Sequence, residues 1–143
     1  MSIFLDTGVL VAFENRRDEN HTTAREILGG AAAGDLGAVY TSDYVFDEAV
    51  TLALARTRRP ETAARVGELV LGTGPLGRIM GLAYVTPRLF LRAWARFGRL
   101  AARGLSFTDC TSLEIMQSLG MSEVASFDAD FEGLVPRCSG RSE

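Results

Sequence analysis

The sequence predicts an α/β fold in which a parallel sheet is covered by helices on both faces. Its 143 residues fit a single compact domain with one core, since no internal repeat or linker divides them. Short apolar runs of strand length alternate with longer segments that show the apolar spacing of helices. Chains that alternate strands with helices form parallel sheets, because each helix returns the chain to the edge where the next strand begins.

The first half of the chain is predicted to contain two strands and four helices. Gly34 suits the C-terminal end of a helix, and Ser42 or Asp43 suits the N-cap of the next one. Pro60 fits the first turn of a helix, where no backbone N–H is needed. In chain order the elements are a strand at residues 2–5, helices at 7–14 and 21–33, a strand at 38–41, a helix from 42 or 43 to about 58, and a helix from 60 to the glycine-containing break at 72–77.

The second half is predicted to contain three strands and two long helices. Pro87 again suits a first turn, and Gly120 suits a helix end. The elements are a strand within 78–85, helices from 87 to about 103 and from about 106 to 120, a strand at 123–126, a helical turn at 128–131 and an edge strand at 134–135. Residues 137–143 are predicted to form a frayed tail, which leaves one domain at residues 1–136.

Composition excludes several classes of protein. No apolar run approaches the roughly 20 residues that span a membrane. Asp6 interrupts the first apolar run, unlike the apolar core of a secretory signal. Two cysteines, Cys110 and Cys138, and a single histidine do not suggest a disulfide framework or a zinc site. We therefore expect a cytoplasmic protein with no membrane partner.

Charge is distributed unevenly along the chain, although the net charge is only −3. Residues 56–103 carry ten arginines and two acids, whereas the flanking segments are rich in acids. In the helix that follows Pro87, Arg92, Arg96 and Arg99 fall on one side and are expected to form a solvated face, with an RNA-binding stripe as the alternative. Trp94 of the same helix is expected to lie in the core.

Four acidic residues stand where four separate segments would each deliver one carboxylate to the same place. They are Asp6 in F-L-D-T-G-V-L-V-A-F, Glu48 in T-S-D-Y-V-F-D-E-A-V-T-L, Asp109 in L-S-F-T-D-C-T-S-L and Asp128 in A-S-F-D-A-D-F. Three of them follow short apolar or strand-like runs, and functional groups converge at the carboxyl ends of strands in an open α/β sheet. Carboxylates repel one another, and a bound hard divalent cation would offset that repulsion.

Each acid also has an ordinary structural interpretation. Asp6 and Asp128 could be helix N-caps, and Asp109 could interact with a helix dipole. Glu48 lies at the rim of the apolar stripe of its helix, so it is either a surface residue or a residue held at a cleft. Asp130 could replace Asp128 as the fourth acid. The occurrence of all four acids in this order favours a functional site over four separate structural roles.

The chain from Ile3 to about Val135 resembles the PIN-domain nucleases, particularly VapC-type toxins, through the four segments quoted above. The resemblance implies a three-layer fold with a five-stranded parallel sheet, a homodimer and a small cognate antitoxin. It also implies one or two Mg²⁺ or Mn²⁺ ions held by the matching acids, and hydrolysis of RNA. Direct ligation is expected from Asp6 and Asp109, and ligation through water or orientation of the attacking water from Glu48 and Asp128.

Substrate contacts are assigned more weakly. The hydroxyl groups of Thr7 and Thr108 adjoin two of the acids and could bind a carboxylate or the substrate, although Thr108 better suits a helix cap. Arg92, Arg96 and Arg99 are the candidate phosphate-binding residues.

Other activities fit the sequence less well. A catalytically inactive PIN-like module that binds RNA or protein would keep the same fold. A phosphatase of the haloacid dehalogenase type needs an acid two residues after its nucleophile, where this chain has Gly8, and the chain has no lysine. The triplet Asp6-Thr7-Gly8 also occurs in aspartic proteases, but those enzymes are all-β proteins.

Overall fold

A computed structural model of the protein describes residues 1–140. These residues form a five-stranded sheet, flanked by helices, with strand order β3-β2-β1-β4-β5 and parallel pairing throughout. The strands are β1 (Ser2–Leu5), β2 (Ala38–Ser42), β3 (Gly81–Ala83), β4 (Glu123–Ala125) and β5 (Arg137–Cys138). The predicted α/β class and parallel sheet are confirmed.

Six α-helices flank the sheet within the described residues. They are α1 (Thr7–Glu14), α2 (His21–Ala32), α3 (Asp43–Thr57), α4 (Pro60–Leu71), α5 (Pro87–Leu100) and α6 (Phe107–Leu119). Single 3₁₀ turns follow α5 at Ala101–Arg103 and β4 at Ala129–Phe131. Across residues 1–140, none of the helices combines the length and the apolar character that crossing a membrane requires.

The central strand β1 aligns its two neighbouring strands and so positions the residues that follow them. Ile3, Phe4 and Leu5 are fully buried, as expected for a strand with neighbours on both sides and helices on both faces. Ile3 lies beside Val39 of β2 and Glu123 of β4, so the three strands end at the same edge. Residues that follow β1 and β4 are therefore brought together.

Side-chain caps fix where several helices begin. The Ser42 hydroxyl accepts a hydrogen bond from the backbone N–H of Val45 (3.1 Å), so Ser42 is the N-cap of α3. Asp43 instead accepts a hydrogen bond from the backbone N–H of Val85 (2.9 Å) and ties α3 to the segment after β3. Pro60 and Pro87 occupy the first turns of α4 and α5, as predicted.

The last strand lies later than predicted. Residues 134–135 are not a strand, because the backbone N–H groups of Leu134 and Val135 donate to the carbonyl of Phe131 in a tight turn. The pairing with β4 starts beyond this turn, with Arg137 beside Val124. Residues 137–138 were expected to be frayed and instead form β5; the tail residues 141–143 lie outside the described part of the chain.

Candidate active site

The four acids predicted from the sequence line one cleft of about 790 Å³ at the carboxyl edge of the sheet. Asp6 joins β1 to α1, and Asp128 follows β4. Glu48 lies in the second turn of α3, and Asp109 lies in the first turn of α6. Four separate segments therefore contribute one carboxylate each to the same cavity, and their chemical roles remain predictions.

Asp6 occupies the N-cap position of α1 but does not cap the helix with its side chain. Its Oδ2 instead accepts a hydrogen bond of 2.7 Å from the hydroxyl of Ser126, and only 7% of the residue is exposed. Burial raises the pKa of Asp6 to about 7, while the Ser126 hydrogen bond lowers it and the nearby charge of Asp109 raises it further. The capping interpretation of Asp6 is wrong, because its side chain makes no capping hydrogen bond and is held by Ser126 instead.

Asp109 has a structural role and a place in the cleft at the same time. It forms a capping box with Ser106, in which the Ser106 backbone N–H donates to Asp109 Oδ2 (2.9 Å) and the Asp109 N–H donates to the Ser106 hydroxyl (3.0 Å). The other oxygen, Oδ1, takes no part in this box. Burial raises the pKa of Asp109, the hydrogen bonds with Ser106 lower it, and the charges of Asp128 and Glu48 raise it.

Asp128 and Asp130 are distinguished by their positions. Asp128 lines the cleft, and its Oδ1 accepts a hydrogen bond from the backbone N–H of Asp130 (2.9 Å). Asp130 is not among the residues that line the cleft, and its carboxylate lies beside Gly104. The charge of Asp128 raises the pKa of Asp130. Of the two, Asp128 is the acid with access to the site.

Ser126 connects two of the acids and was missed in the sequence. Its hydroxyl donates to Asp6 and accepts a hydrogen bond from the backbone N–H of Asp128 (3.0 Å), so one buried side chain fixes both. A serine two residues before an aspartate, at the end of a strand, is a turn signal that could have identified it.

Thr7 and Thr108, the two candidate substrate-binding threonines, differ in whether they line the cleft. Thr7 is buried, lines the cleft, and has the only buried side-chain oxygen or nitrogen without a hydrogen-bond partner in residues 1–140. An unpartnered buried hydroxyl is unfavourable unless another molecule satisfies it. Thr108 does not line the cleft, and it does not cap α6, because Ser106 does.

The arginines assigned to substrate lie away from the cleft. Arg96 donates hydrogen bonds of 2.9 Å from Nε to Glu114 and from Nη2 to Gln117, so its guanidinium joins α5 to α6. The guanidinium of Arg96 is therefore already engaged within the protein, and its phosphate-binding role stays a prediction. Arg92 and Arg99 are exposed on α5 and do not line the cleft. Trp94, which was expected in the core, is 63% exposed.

The chemistry of the donor groups fits a hard divalent cation. The cleft offers four carboxylates and one unpartnered hydroxyl, and Mg²⁺ prefers such oxygen ligands while keeping several waters. Within residues 1–140, no three acidic, histidine or cysteine side chains stand close enough to hold a metal ion between them. Asp6 and Asp109, both buried with raised pKa values, are the groups whose charged forms a cation would stabilise most.

Known proteins resemble this chain along nearly its whole length. The VapC ribonuclease of Archaeoglobus fulgidus is 24% identical over 132 residues, which cover 92% of this chain and 80% of that protein. The crystal structure of Mycobacterium tuberculosis VapC20, described as a sarcin-ricin loop cleaving toxin, superposes with a TM-score of 0.79 at 30% identity and covers 92% of this chain and 94% of that one.

Rickettsia felis VapBC2, solved with a DNA fragment from its promoter, has the same fold at 13% identity, with a TM-score of 0.64 and coverage of 96% and 98%. The family model described as PIN domain matches residues 3–134. This match spans all four acids and the framework from β1 to the 3₁₀ turn after β4, and the chain therefore belongs to the PIN-domain family.

Proposed function

We propose that this protein is a ribonuclease that depends on Mg²⁺ or Mn²⁺ and hydrolyses phosphodiester bonds in RNA. The observation that carries the proposal is that four carboxylates line one cleft, with Asp6 almost completely buried. Burying a carboxylate beside others is unfavourable unless a cation or a proton neutralises it. The likeness to a VapC ribonuclease and to a sarcin-ricin loop cleaving toxin supports this choice over a phosphatase.

The roles proposed for the cleft residues depend on how rigidly hydrogen bonds hold each carboxylate. Asp6 is fixed by Ser126, and Asp109 is fixed by its capping box, so these two would hold the cation directly. Glu48, half-buried on α3, and Asp128 would orient waters and complete the neutralisation of charge. A bound divalent cation supplies two things: it lowers the pKa of a water and stabilises charge on the scissile phosphate.

Thr7 would complete the substrate contacts. Its hydroxyl is buried and unpartnered at the wall of the cleft, next in sequence to Asp6. A phosphate oxygen or a water beside the scissile phosphate would satisfy this donor. The hydrogen bond would place the phosphate near the carboxylates without adding charge.

We also propose that the protein is the toxin of a toxin–antitoxin pair. The M. tuberculosis relative is itself a toxin at 30% identity over almost all of both chains. Such a ribonuclease would need a small antitoxin in the same cytoplasm, and homodimerisation would be typical of the family. Co-expression with any small open reading frame found beside its gene, followed by purification and measurement of the mass of the complex, tests both points.

Cleavage of total RNA by the purified protein tests the ribonuclease proposal. Wild-type protein should cut RNA with Mg²⁺ or Mn²⁺ and not with EDTA, and Asp6→Asn should lower the rate by about a thousandfold or more, since several kcal/mol of charge stabilisation are lost. Asp47→Asn is the matched control, because Asp47 is exposed on α3 next to Glu48 and outside the cleft. No cleavage by folded protein free of antitoxin would instead favour the inactive binding module.

A further inference from the structure

A second groove of about 570 Å³ adjoins the acidic cleft and has the opposite charge. Asn15, Arg17 and Arg56 line both cavities, so the two lie side by side. We call the second cavity the arginine groove. Its arginines are Arg16, Arg17, Arg56, Arg59 and Arg65. Glu14 is the one acid that lines it.

Local backbone structure brings these arginines together. Arg16 and Arg17 lie in the loop after α1, where the Asn15 side chain accepts a hydrogen bond from the backbone N–H of Arg17 (3.2 Å). Arg56 lies in the last turn of α3, and Arg59 lies in the link to α4.

The link between α3 and α4 is held in place by one threonine. The Thr57 hydroxyl donates to the carbonyl of Ala53 (2.7 Å) and accepts from the backbone N–H of Arg59 (3.2 Å). The backbone that carries Arg59 is therefore fixed at the rim of the groove, while the exposed side chain stays free to move.

The guanidinium groups of the groove are mostly uncommitted. Among the ion pairs of residues 1–140, only Arg56 of this group takes part, at 3.9 Å from Asp18. By contrast, Arg96 and Arg137 are engaged by carboxylates at 2.9 Å and 2.7 Å. Arginines that are gathered in a concave surface and are mostly free of short ion pairs are suited to bind an anion, because the planar guanidinium matches phosphate oxygens.

We propose that the arginine groove binds the phosphates of the RNA strand that flank the cleavage position. This inference rests on the proposed ribonuclease function and deepens it. A strand whose scissile phosphate lies among carboxylates is repelled there, and the five arginines next to the cleft offset that repulsion. Arg17 and Arg56 border both cavities, which favours a single ligand long enough to extend from one to the other, as a nucleic-acid backbone is.

The proposal places the RNA path on α1, α3 and α4 and away from α5. The arginines of α5 predicted from the sequence do not line the acidic cleft, and Arg96 is engaged by Glu114. Contacts with phosphates carry no sequence information of their own, so the groove would position the strand and leave the choice of cleavage site to other contacts.

Binding of a fluorescent single-stranded RNA, followed by anisotropy with Mg²⁺ present, tests the groove. All proteins carry Asp6→Asn to prevent cleavage. The groove variant adds Arg59→Gln and Arg65→Gln, and a second groove variant changes both residues to Lys. The matched control adds Arg78→Gln and Arg88→Gln, which remove the same charge from exposed arginines outside the groove. Thermal unfolding checks that each variant is folded.

We expect the glutamine groove variant to bind RNA roughly ten- to thirtyfold more weakly near 0.1 M salt, with a salt slope less steep by about 0.7 for each phosphate that is no longer neutralised. The lysine variant should recover most of the affinity, and the control should bind like the parent. Equal affinity of the groove variant and the parent would overturn the inference, while cleavage by the wild-type protein would still support the ribonuclease.

The same proteins should be titrated with polyglutamate. If the groove variant loses affinity for polyglutamate and keeps its affinity for RNA, the inference is overturned and the groove is a docking site for an acidic protein segment. If the parent binds no RNA and the wild-type protein cuts none, the inference and the proposed function fail together.

Discussion

The acidic cleft and the arginine groove lie side by side and are built in opposite ways. In the cleft, Asp6 and Asp109 are buried, and hydrogen bonds from Ser126 and Ser106 fix them. In the groove, the arginine side chains are exposed, and the structure fixes the backbone that carries them. Groups that must meet a small cation need exact placement, whereas groups that follow a flexible strand must adapt to it. The difference teaches which cavity suits chemistry and which suits binding.

If the charged form of Asp6 is unfavourable in the folded protein, the free energy of unfolding without metal should fall as pH rises. The pKa of Asp6 is raised from 3.8 to about 7, so between these values the folded protein keeps a proton that the unfolded chain has released. Stability contributed by this proton is present below about pH 4 and is lost as pH approaches 7, by at most about 4 kcal/mol.

Urea unfolding in metal-free buffer at about pH 5 and about pH 7.5 measures this effect, since the two values lie on either side of the raised pKa of Asp6. The wild-type protein should be less stable at the higher pH, and Asp6→Asn should show a smaller difference because its side chain does not titrate. Arg59→Gln, in the arginine groove, should leave the wild-type pH dependence in place. Equal stability of the wild-type protein at both pH values would show that folding does not disfavour the charged form of Asp6.

Ser126→Ala should lower the activity by less than Asp6→Asn does. Removing the hydroxyl frees the carboxylate of Asp6 and the backbone N–H of Asp128, and removal of such a supporting group typically costs roughly 10- to 100-fold in activity or metal affinity. We expect kcat to fall by that factor with little change in KM, and stability to fall by roughly 1–2 kcal/mol.

Ser122→Ala is the matched control for this variant. Ser122 also makes hydrogen bonds across the sheet, with Ser2, but it is exposed and lies at the amino ends of the strands. It should leave kcat unchanged. A similar fall in kcat in both variants would mean that Ser126 acts only through general stability.

Local rules were enough to predict much of the fold. The cap at Ser42 and the prolines at 60 and 87 act on their own helices, so their sequence signals are reliable. The final strand was misplaced because Leu134 and Val135 are apolar, while pairing depends on where the chain returns to β4 after the turn at Phe131. That choice is made by tertiary contacts.

The candidate site shows the same limit. A capping role was right for Asp128, whose partner Asp130 is two residues away, and wrong for Asp6, whose partner Ser126 is 120 residues away. Helical spacing placed Arg96 on a polar face but could not show that Glu114 of α6 lies beside it. The convergence of the acids was predicted from their places after strand-like runs. The groups that hold them could be identified only from the structure.

The most direct test of the central claim is binding of Mn²⁺ to the purified protein, measured by calorimetry with wild type, Asp109→Asn and the control Asp47→Asn. The Asn carbonyl can still accept the hydrogen bond from Ser106, so the helix start should survive the change. We predict saturable binding to the wild type and the control, weakened at least about tenfold in Asp109→Asn, since one charged ligand is removed. Equal affinity in all three proteins, or none in any, would contradict a cation site formed by the four acids.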